Sequence, residues 1–254
     1  DIQEYEDSIV INGDVFDKKI KQQRADLKSE VKRKGFNEVV NEITYTWFNR
    51  LVALKYMSEN KYIPVDVFKS SIFGRSEPDI LANCLDIDFM NLDKNFLIDL
   101  KSSGEDEELY KYLILSLCNH LNRIMPFLFE KIDDYTELML PEKLLRTDSI
   151  LVDLNTIIPE DDWKEVEIIG WIYQYYIAPR KEEVFAGLKK NIKISKEDIP
   201  AATQLFTPKW IVKYLVENSL GRLWLESNPD GELQSSLKYY IDQEFEVPKE
   251  KVVS

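Results

Sequence analysis

Few residues in this chain can do chemistry, and their types narrow the choices at once. His120 is the only histidine, so no histidine-based triad or histidine-rich metal site fits within these residues. Cys84 and Cys118 lie on apolar stretches and read as reduced core thiols rather than a disulfide or a metal site. Cys118 and His120 point to opposite faces of a helix and cannot share one ligand site. The acidic run "GEDEE" (104–108) is a solvated loop or a cation site. Trp171, Tyr173, Tyr175 and Tyr176 fall at helical spacing, which suits packing or stacking on bases. The sharpest signal is Thr207-Pro208. A threonine at the N-cap accepts a backbone N–H, and proline loses no bond at the first helical position. The unpaired N–H groups of such a helix start suit a carboxylate or phosphate. The preceding "AATQLFTP" is uncharged and mostly small or apolar, a lining that a partly apolar cofactor accepts.

The elements that must position these residues are mostly helices. "SIVINGDVF" carries Asn-Gly between two β-prone runs, which predicts a small hairpin near residues 8–16. A helix follows from Asp17, with Phe16, Ile20, Leu27 and Val31 on one side, and Gly35 ends it. A second runs from about Phe36 to Met57, with Ile43, Trp47, Leu51 and Leu54 stacked as core. Two further helical stretches are predicted over 79–100 and 106–132, the latter apolar nearly all round until Pro126 ends or kinks it. Short helices over 137–158 are separated by turns at Pro141 and Thr147. A strong helix begins in "WKEVEIIGWIYQYYI" and continues after Pro179. "NIKISKEDIPAATQLF" has no helical period, so the domain boundary is placed there, near Ile199. Beyond it lies the Thr207-Pro208 helix, with Ile211, Val212, Leu215, Val216, Leu220 and Leu223 on one face. A turn at Asn228 to Gly231 and one more helix follow. The fold is expected to be mainly α: a multi-helix domain over 1–198, then the first helices of a truncated α/β domain over 199–254.

Composition excludes several classes. At 254 residues, with 44% hydrophobic and 31% charged residues, the chain is ordinary globular material able to bury a sizeable core. No run is apolar enough to span a bilayer and no signal peptide opens the sequence, so no membrane partner and a cytoplasmic location are expected. The chain opens on Asp1, which suggests a start inside a longer product. A formal charge of −13 disfavours a dedicated nucleic-acid binder. Yet "KKIKQQRADLKSEVKRK" (18–34) sets eight basic side chains against Asp26 and Glu30. Lys28, Lys32, Arg33 and Lys34 on that run are candidate phosphate contacts, the other reading being a solvated helix face.

"IPAATQLFTPKWIVKYLVENSLGRLWLE" resembles the stretch that opens the methyltransferase domain of PglX-type adenine-specific DNA methyltransferases of the BREX phage-defence systems. "ITYTWFNRLVALKYM" (43–57), "GWIYQYYIAPRKEEVFAGLKK" (170–190) and "SNPDGELQSSLKYYI" agree with the same family in the same order, from about Asn12 to Ile241. The "FTP" element also occurs, less specifically, in modification subunits of type I restriction systems and in combined restriction-methylation enzymes, which leaves open a helical DNA- or protein-interaction module of that kind.

The resemblance implies that Phe206, Thr207 and Pro208, with Gln204 as a weaker candidate, form a motif X contacting S-adenosylmethionine. It also implies transfer of the sulfonium methyl to the exocyclic nitrogen of a flipped adenine. In such enzymes a polar-Pro-Pro-aromatic loop and a glycine-rich turn complete the site. Neither occurs in this sequence, and Asn228-Pro229-Asp230 lacks the second proline and the aromatic. No catalytic residue and no metal ligand is therefore assigned here, and the chain is expected to be inactive by itself. Double-stranded DNA, reached through the full-length protein, and other phage-defence proteins are the expected partners.

Overall fold

The computed structural model describes residues 2–130, 134–196, 198–228 and 232–242. The chain divides into two compact units, residues 1–165 and 166–254. The helical segment before Ile199 therefore packs with the C-terminal stretch.

The first unit opens on three antiparallel strands in the order β1-β2-β3, with β1 at Ile2–Glu4, β2 at Ser8–Ile11 and β3 at Asp14–Asp17. The expected hairpin is β2 and β3, paired through Ile9↔Phe16 and Ile11↔Asp14. Asn12 and Gly13 turn the chain at φ 55° and 105°, the left-handed values that a two-residue primed turn demands. β1, which the sequence did not announce, pairs to β2 through Gln3↔Val10. Ile9 is fully buried, so its face of this small sheet is anchored in the unit.

Helix α1 (Lys18–Lys34) begins where Asp17 Oδ1 accepts the Ile20 N–H at 2.9 Å. It ends at Gly35, whose φ of 93° an L side chain would strain and whose N–H reaches the Val31 carbonyl. Lys32, Arg33 and Lys34 sit in the last turn, where the helix dipole favours positive charge. Phe16, expected on its apolar side, is exposed, while Leu27 and Val31 do pack against the core.

The core forms between α2 (Phe36–Glu59) and the helices after it in the chain: α3 (Asp79–Ala82), α4 (Lys94–Ser103) and α5 (Asp106–Leu121). Ile43, Trp47, Leu51 and Leu54 are all buried, as their spacing predicts, and belong to the same core cluster as Leu109, Leu113, Ile114 and Leu117 of α5. The single helix expected over 79–100 is not formed. After α3 and a 3-10 turn at Cys84–Asp86 the chain leaves helical geometry until Asp93, whose carboxylate caps α4 by accepting from Asn95 and Phe96 N–H. Ile87 and Met90, both 5% exposed, are turned into the core by this break, a gain that regular helix would forgo. The helix expected over 106–132 also stops early, at Leu121, ahead of Pro126. Turns over 122–129 then put Phe129 into the core and let Asn122 Nδ2 donate to its carbonyl at 2.7 Å.

Irregular segments are held by side chains of the helices. Trp47 Nε1 donates to the Thr136 carbonyl at 3.0 Å, Arg50 to that of Glu130 at 3.0 Å, and Tyr110 Oη to that of Val67 at 2.8 Å. Lys55, 1% exposed, donates to Glu59 at 2.5 Å and Asn155 Oδ1 at 2.6 Å, and Asn155 Nδ2 in turn donates to the Phe68 carbonyl. Lys69 bridges Glu59 and Glu160 beside it. Cys84 and Cys118 are buried free thiols, and burial pushes Cys118 up to about 12. The unit ends with α6 (Ile150–Thr156), capped by Ser149, and a 3-10 turn that buries Trp163.

The second unit is carried by α7 (Glu167–Lys189), which runs through Pro179 without interruption. Pro179 is exposed, so the carbonyl that loses its helical donor can turn to water. A short helix, α8 (Ile199–Thr203), then precedes α9 (Lys209–Val216), a π-helical turn at Glu217–Gly221 and α10 (Arg222–Ser227). The expected apolar face is present, but Val212, Leu215, Val216, Leu220 and Leu223 are exposed. The turn expected at Asn228 to Gly231 lies outside the described residues except for Asn228. Beyond it, Glu232–Ser236 is 3-10 rather than the start of a helix through 245, of which 243–245 lie outside the described residues. The segment after it is held by the π turn and the start of α10: Asn218 Nδ2 donates to the Tyr239 carbonyl at 2.7 Å, Glu217 accepts from Tyr239 N–H, and Arg222 donates to the Ile241 carbonyl at 2.9 Å. No helix among the described residues is long and apolar enough to cross a membrane.

Candidate functional site

The segment carrying Phe206 and Thr207 lies against the start of α7. Phe206 stacks edge-to-face on the buried Tyr173 with ring centroids 5.7 Å apart, and Gln174 Nε2 reaches its carbonyl at 3.4 Å. Gly170 makes this approach feasible: a Cβ there would fall 2.6 Å from Phe206 Cδ1. No larger residue fits without displacing the ring.

A cleft of about 320 Å³ opens beside this contact. Phe206 and Thr207 form one wall. Val166, Glu167, Ile169, Gly170 and Trp171, from the first turns of α7, form the other. The cleft thereby brings the threonine-proline element together with the glycine-tryptophan pair, two stretches some distance apart in the sequence.

The start of α9 differs from the sequence expectation. Thr207 is not its N-cap. The helix begins at Lys209, the capping position is Pro208 with ψ 139°, and no side chain of that segment caps it. Because Pro208 is itself extended, helical geometry starts one residue later than Thr207-Pro208 implies and leaves Thr207 outside the cap position. Glu167 supplies the cap from across the sequence, its Oε1 accepting the Lys209 N–H at 2.6 Å. Pro208 does not line the cleft. Gln204 ends α8, with its N–H on the Pro200 carbonyl and its side chain exposed outside the cleft.

Of the aromatic set, Tyr173 is core whereas Trp171 and Tyr175 are exposed at 52% and 80%. Only Trp171 lines the cleft. Sequence reasoning missed Glu167 and Gly170, since nothing local marks either as facing Phe206.

The basic candidates on α1 separate into two sets. Lys28 and Lys32 face a groove of about 410 Å³, together with Lys18, Lys21 and Arg24 and with the carboxylates of Glu4 and Glu6. Lys18 is paired with Asp7, Arg24 with Glu4, and Lys21 donates to the Tyr5 carbonyl. Lys28 and Lys32 have no ion pair among the described residues. Arg33 and Lys34 lie elsewhere on the helix. Arg33 grips Glu30 through two bonds of 3.0 and 2.6 Å, and Lys34 donates to Glu42 of α2 at 2.5 Å. The bond from Arg33 holds the Glu30 carboxyl below its ordinary value, and the bonds to Glu30 and Glu42 raise Arg33 and Lys34 respectively. Their charge is largely spoken for at short range. Among the described residues, no three His, Cys, Asp or Glu side chains gather closely enough to hold a metal ion.

Comparison with known proteins supplies the context. The chain is 43% identical over 233 residues to the adenine-specific methyltransferase BrxX of Escherichia coli O9:H4 (strain HS), a match covering 89% of this chain and 19% of that protein. It is 39% identical over 233 residues to the adenine-specific methyltransferase PglX of Lacticaseibacillus casei (strain Zhang), covering 86% of this chain and 19% of the relative. No family model matches the chain. The resemblance drawn from the sequence is borne out: this chain is homologous to part of adenine-specific methyltransferases of the BREX type. It spans about a fifth of the length of these relatives.

Proposed function

We propose that this chain is the N-terminal part of an S-adenosylmethionine-dependent DNA methyltransferase of a BREX phage-defence system, one that modifies adenine at N6. On this reading residues 1–198 are its helical region and 199–254 open its catalytic domain, with α7 of the helical region packed in the same compact unit as that opening. The observation that carries the reading is the cleft, where Phe206 and Thr207 of the threonine-proline element meet Gly170 and Trp171 of the 170–190 stretch, whose sequence resembles the same family.

The residues fit the cofactor in part. At about 320 Å³ the cleft is at the low end of the range for small-molecule sites, about 300–1,000 Å³. Its walls are apolar and aromatic, with the Thr207 hydroxyl and the Glu167 carboxylate as polar groups. Phe206, Thr207 and Trp171 are the contacts assigned to the cofactor in this chain, Pro208 fixes the backbone between Thr207 and α9, and Gln204 is the outermost candidate. When bound, S-adenosylmethionine supplies an activated methyl group. The side chains here bind and orient it, and the groups that receive the adenine belong to sequence beyond Ser254. The fragment alone is thus inactive and binds the cofactor weakly.

Lys28 and Lys32, with no ion pair of their own among the described residues, are the phosphate contacts we retain for double-stranded DNA; Arg33 and Lys34 act through Glu30 and Glu42 as structure. Other phage-defence proteins are the further partners, and the cytoplasm is the location. The test is methylation of duplex DNA by the complete protein with labelled S-adenosylmethionine. Adenine-N6 label is expected, with Thr207→Ala weakening cofactor binding up to about tenfold, the scale of one hydrogen bond. Cofactor affinity unchanged in Thr207→Ala would remove the site; absence of labelled adenine would remove the function.

A further inference from the structure

Among the described residues, Glu167 is the one charged side chain lining the cleft. Its Oε1 is committed to the Lys209 N–H at 2.6 Å, so a protein carboxylate already satisfies the first donor of α9. A ligand carboxylate approaching that helix start would meet this negative charge at close range. The second oxygen, Oε2, carries no hydrogen bond among the described residues. Trp171, on the next turn of α7, presents a half-exposed indole to the same space, and Phe206 adds a second ring at 44% exposure. A carboxylate with a spare oxygen, aromatic faces and no basic group in the lining complement a cation. Ammonium is the best match, since it can both donate to Oε2 and lie over the indole.

We infer that Glu167 binds the α-ammonium of an amino-acid-bearing nucleoside ligand, with Trp171 over the same charge, and that the α9 N-terminus does not receive the ligand's carboxylate. This rests on the cofactor reading above and turns its orientation around: the cationic side of the methionine moiety faces α7.

Two ligands separate the cases in the complete protein. S-adenosylhomocysteine carries the ammonium; 5′-methylthioadenosine keeps the nucleoside and thioether but lacks the amino-acid end. Glu167→Gln removes the charge yet keeps an oxygen that can cap Lys209, so α9 should stay in place. By calorimetric titration, Glu167→Gln is expected to weaken S-adenosylhomocysteine about tenfold and to leave methylthioadenosine within about twofold. Trp171→Leu should weaken S-adenosylhomocysteine about threefold or more. Equal losses for both ligands in Glu167→Gln, or no loss for either, overturn the assignment and leave Glu167 as a helix cap. If the unaltered protein binds neither ligand, the cofactor reading itself fails and this inference with it, an outcome visible before any variant is made.

Discussion

Replacing Gly170 by alanine should unseat Phe206, and a second glycine on the same helix provides the control. A Cβ at position 170 would lie 2.6, 2.7 and 3.0 Å from Cδ1, Cγ and Cβ of Phe206. Carbon pairs are comfortable at about 3.5–4.0 Å. Because Phe206 Cβ is itself too near, rotating the ring does not relieve the clash, and the segment must shift by about 1 Å. Overpacking of this kind costs about 1–3 kcal/mol. Alanine in a helix interior returns about 1 kcal/mol relative to glycine, so the net loss at Gly170 is about 0–2 kcal/mol. At Gly187 the same addition meets only Ile192, 3.7 Å away, which is ordinary contact. There the propensity gain stands alone, about 0.5–1 kcal/mol. The two variants should therefore differ by about 1–3 kcal/mol, or roughly 5- to 150-fold in a local opening constant. A long multi-domain protein has no single unfolding free energy, so amide hydrogen exchange of peptides spanning α7 and 204–209 is the suitable assay. Gly170→Ala should speed exchange in both relative to Gly187→Ala, and cofactor affinity should fall with it. Equal protection in the two variants would refute the seating of Phe206 and the cleft built on it.

Two further outcomes test the first unit. Lys28→Glu with Lys32→Glu should weaken duplex DNA binding and lower the dependence of log affinity on log salt by roughly 1 per lost contact; Arg33→Glu with Lys34→Glu should change it much less, and the reverse order would sink the phosphate assignment. Lys55→Met should cost about 3 kcal/mol, because it removes one partner of a buried pair while Lys69 still holds Glu59; a loss below about 1 kcal/mol would contradict that account. Burial raises the Glu59 carboxyl, but the bonds from Lys55 and Lys69 outweigh it and hold it below its usual 4.5. Its contribution to stability is then present above pH 4.5 and lost as pH falls through the lowered folded value. Lys55→Met raises that folded value, so acid unfolding followed by circular dichroism should begin at higher pH.

Much of the first unit was legible because its signals are local. Asn12-Gly13 sets a turn through its own backbone angles, Asp17 caps a helix within three residues, and Gly35 ends one by adopting a φ closed to other residues. The buried row of α2 follows from the helical period alone. The breaks after Ala82 and Leu121 were not legible, since Ile87, Met90 and Phe129 leave regular geometry only to reach a core assembled from distant helices. The basic run was legible as charge but not as function. Lys34 reaches Glu30 on its own helix at 3.4 Å, but its shorter bond is to Glu42 on the following helix, while the turn of α1 decides that Lys28 and Lys32 face the groove.

The sequence by itself determined the hairpin, the limits of α1, the helical class of the chain and its kinship with adenine-specific methyltransferases, all of which rest on residue type and short spacing. Tertiary structure decided the site. The group that satisfies the first N–H of α9 is a carboxylate 42 residues away from it along the chain. Whether Phe206 forms a wall depends on the missing side chain of Gly170. Capping, burial and charge pairing act over a few ångströms of space, and the distance along the chain between partners is set only by how the chain folds.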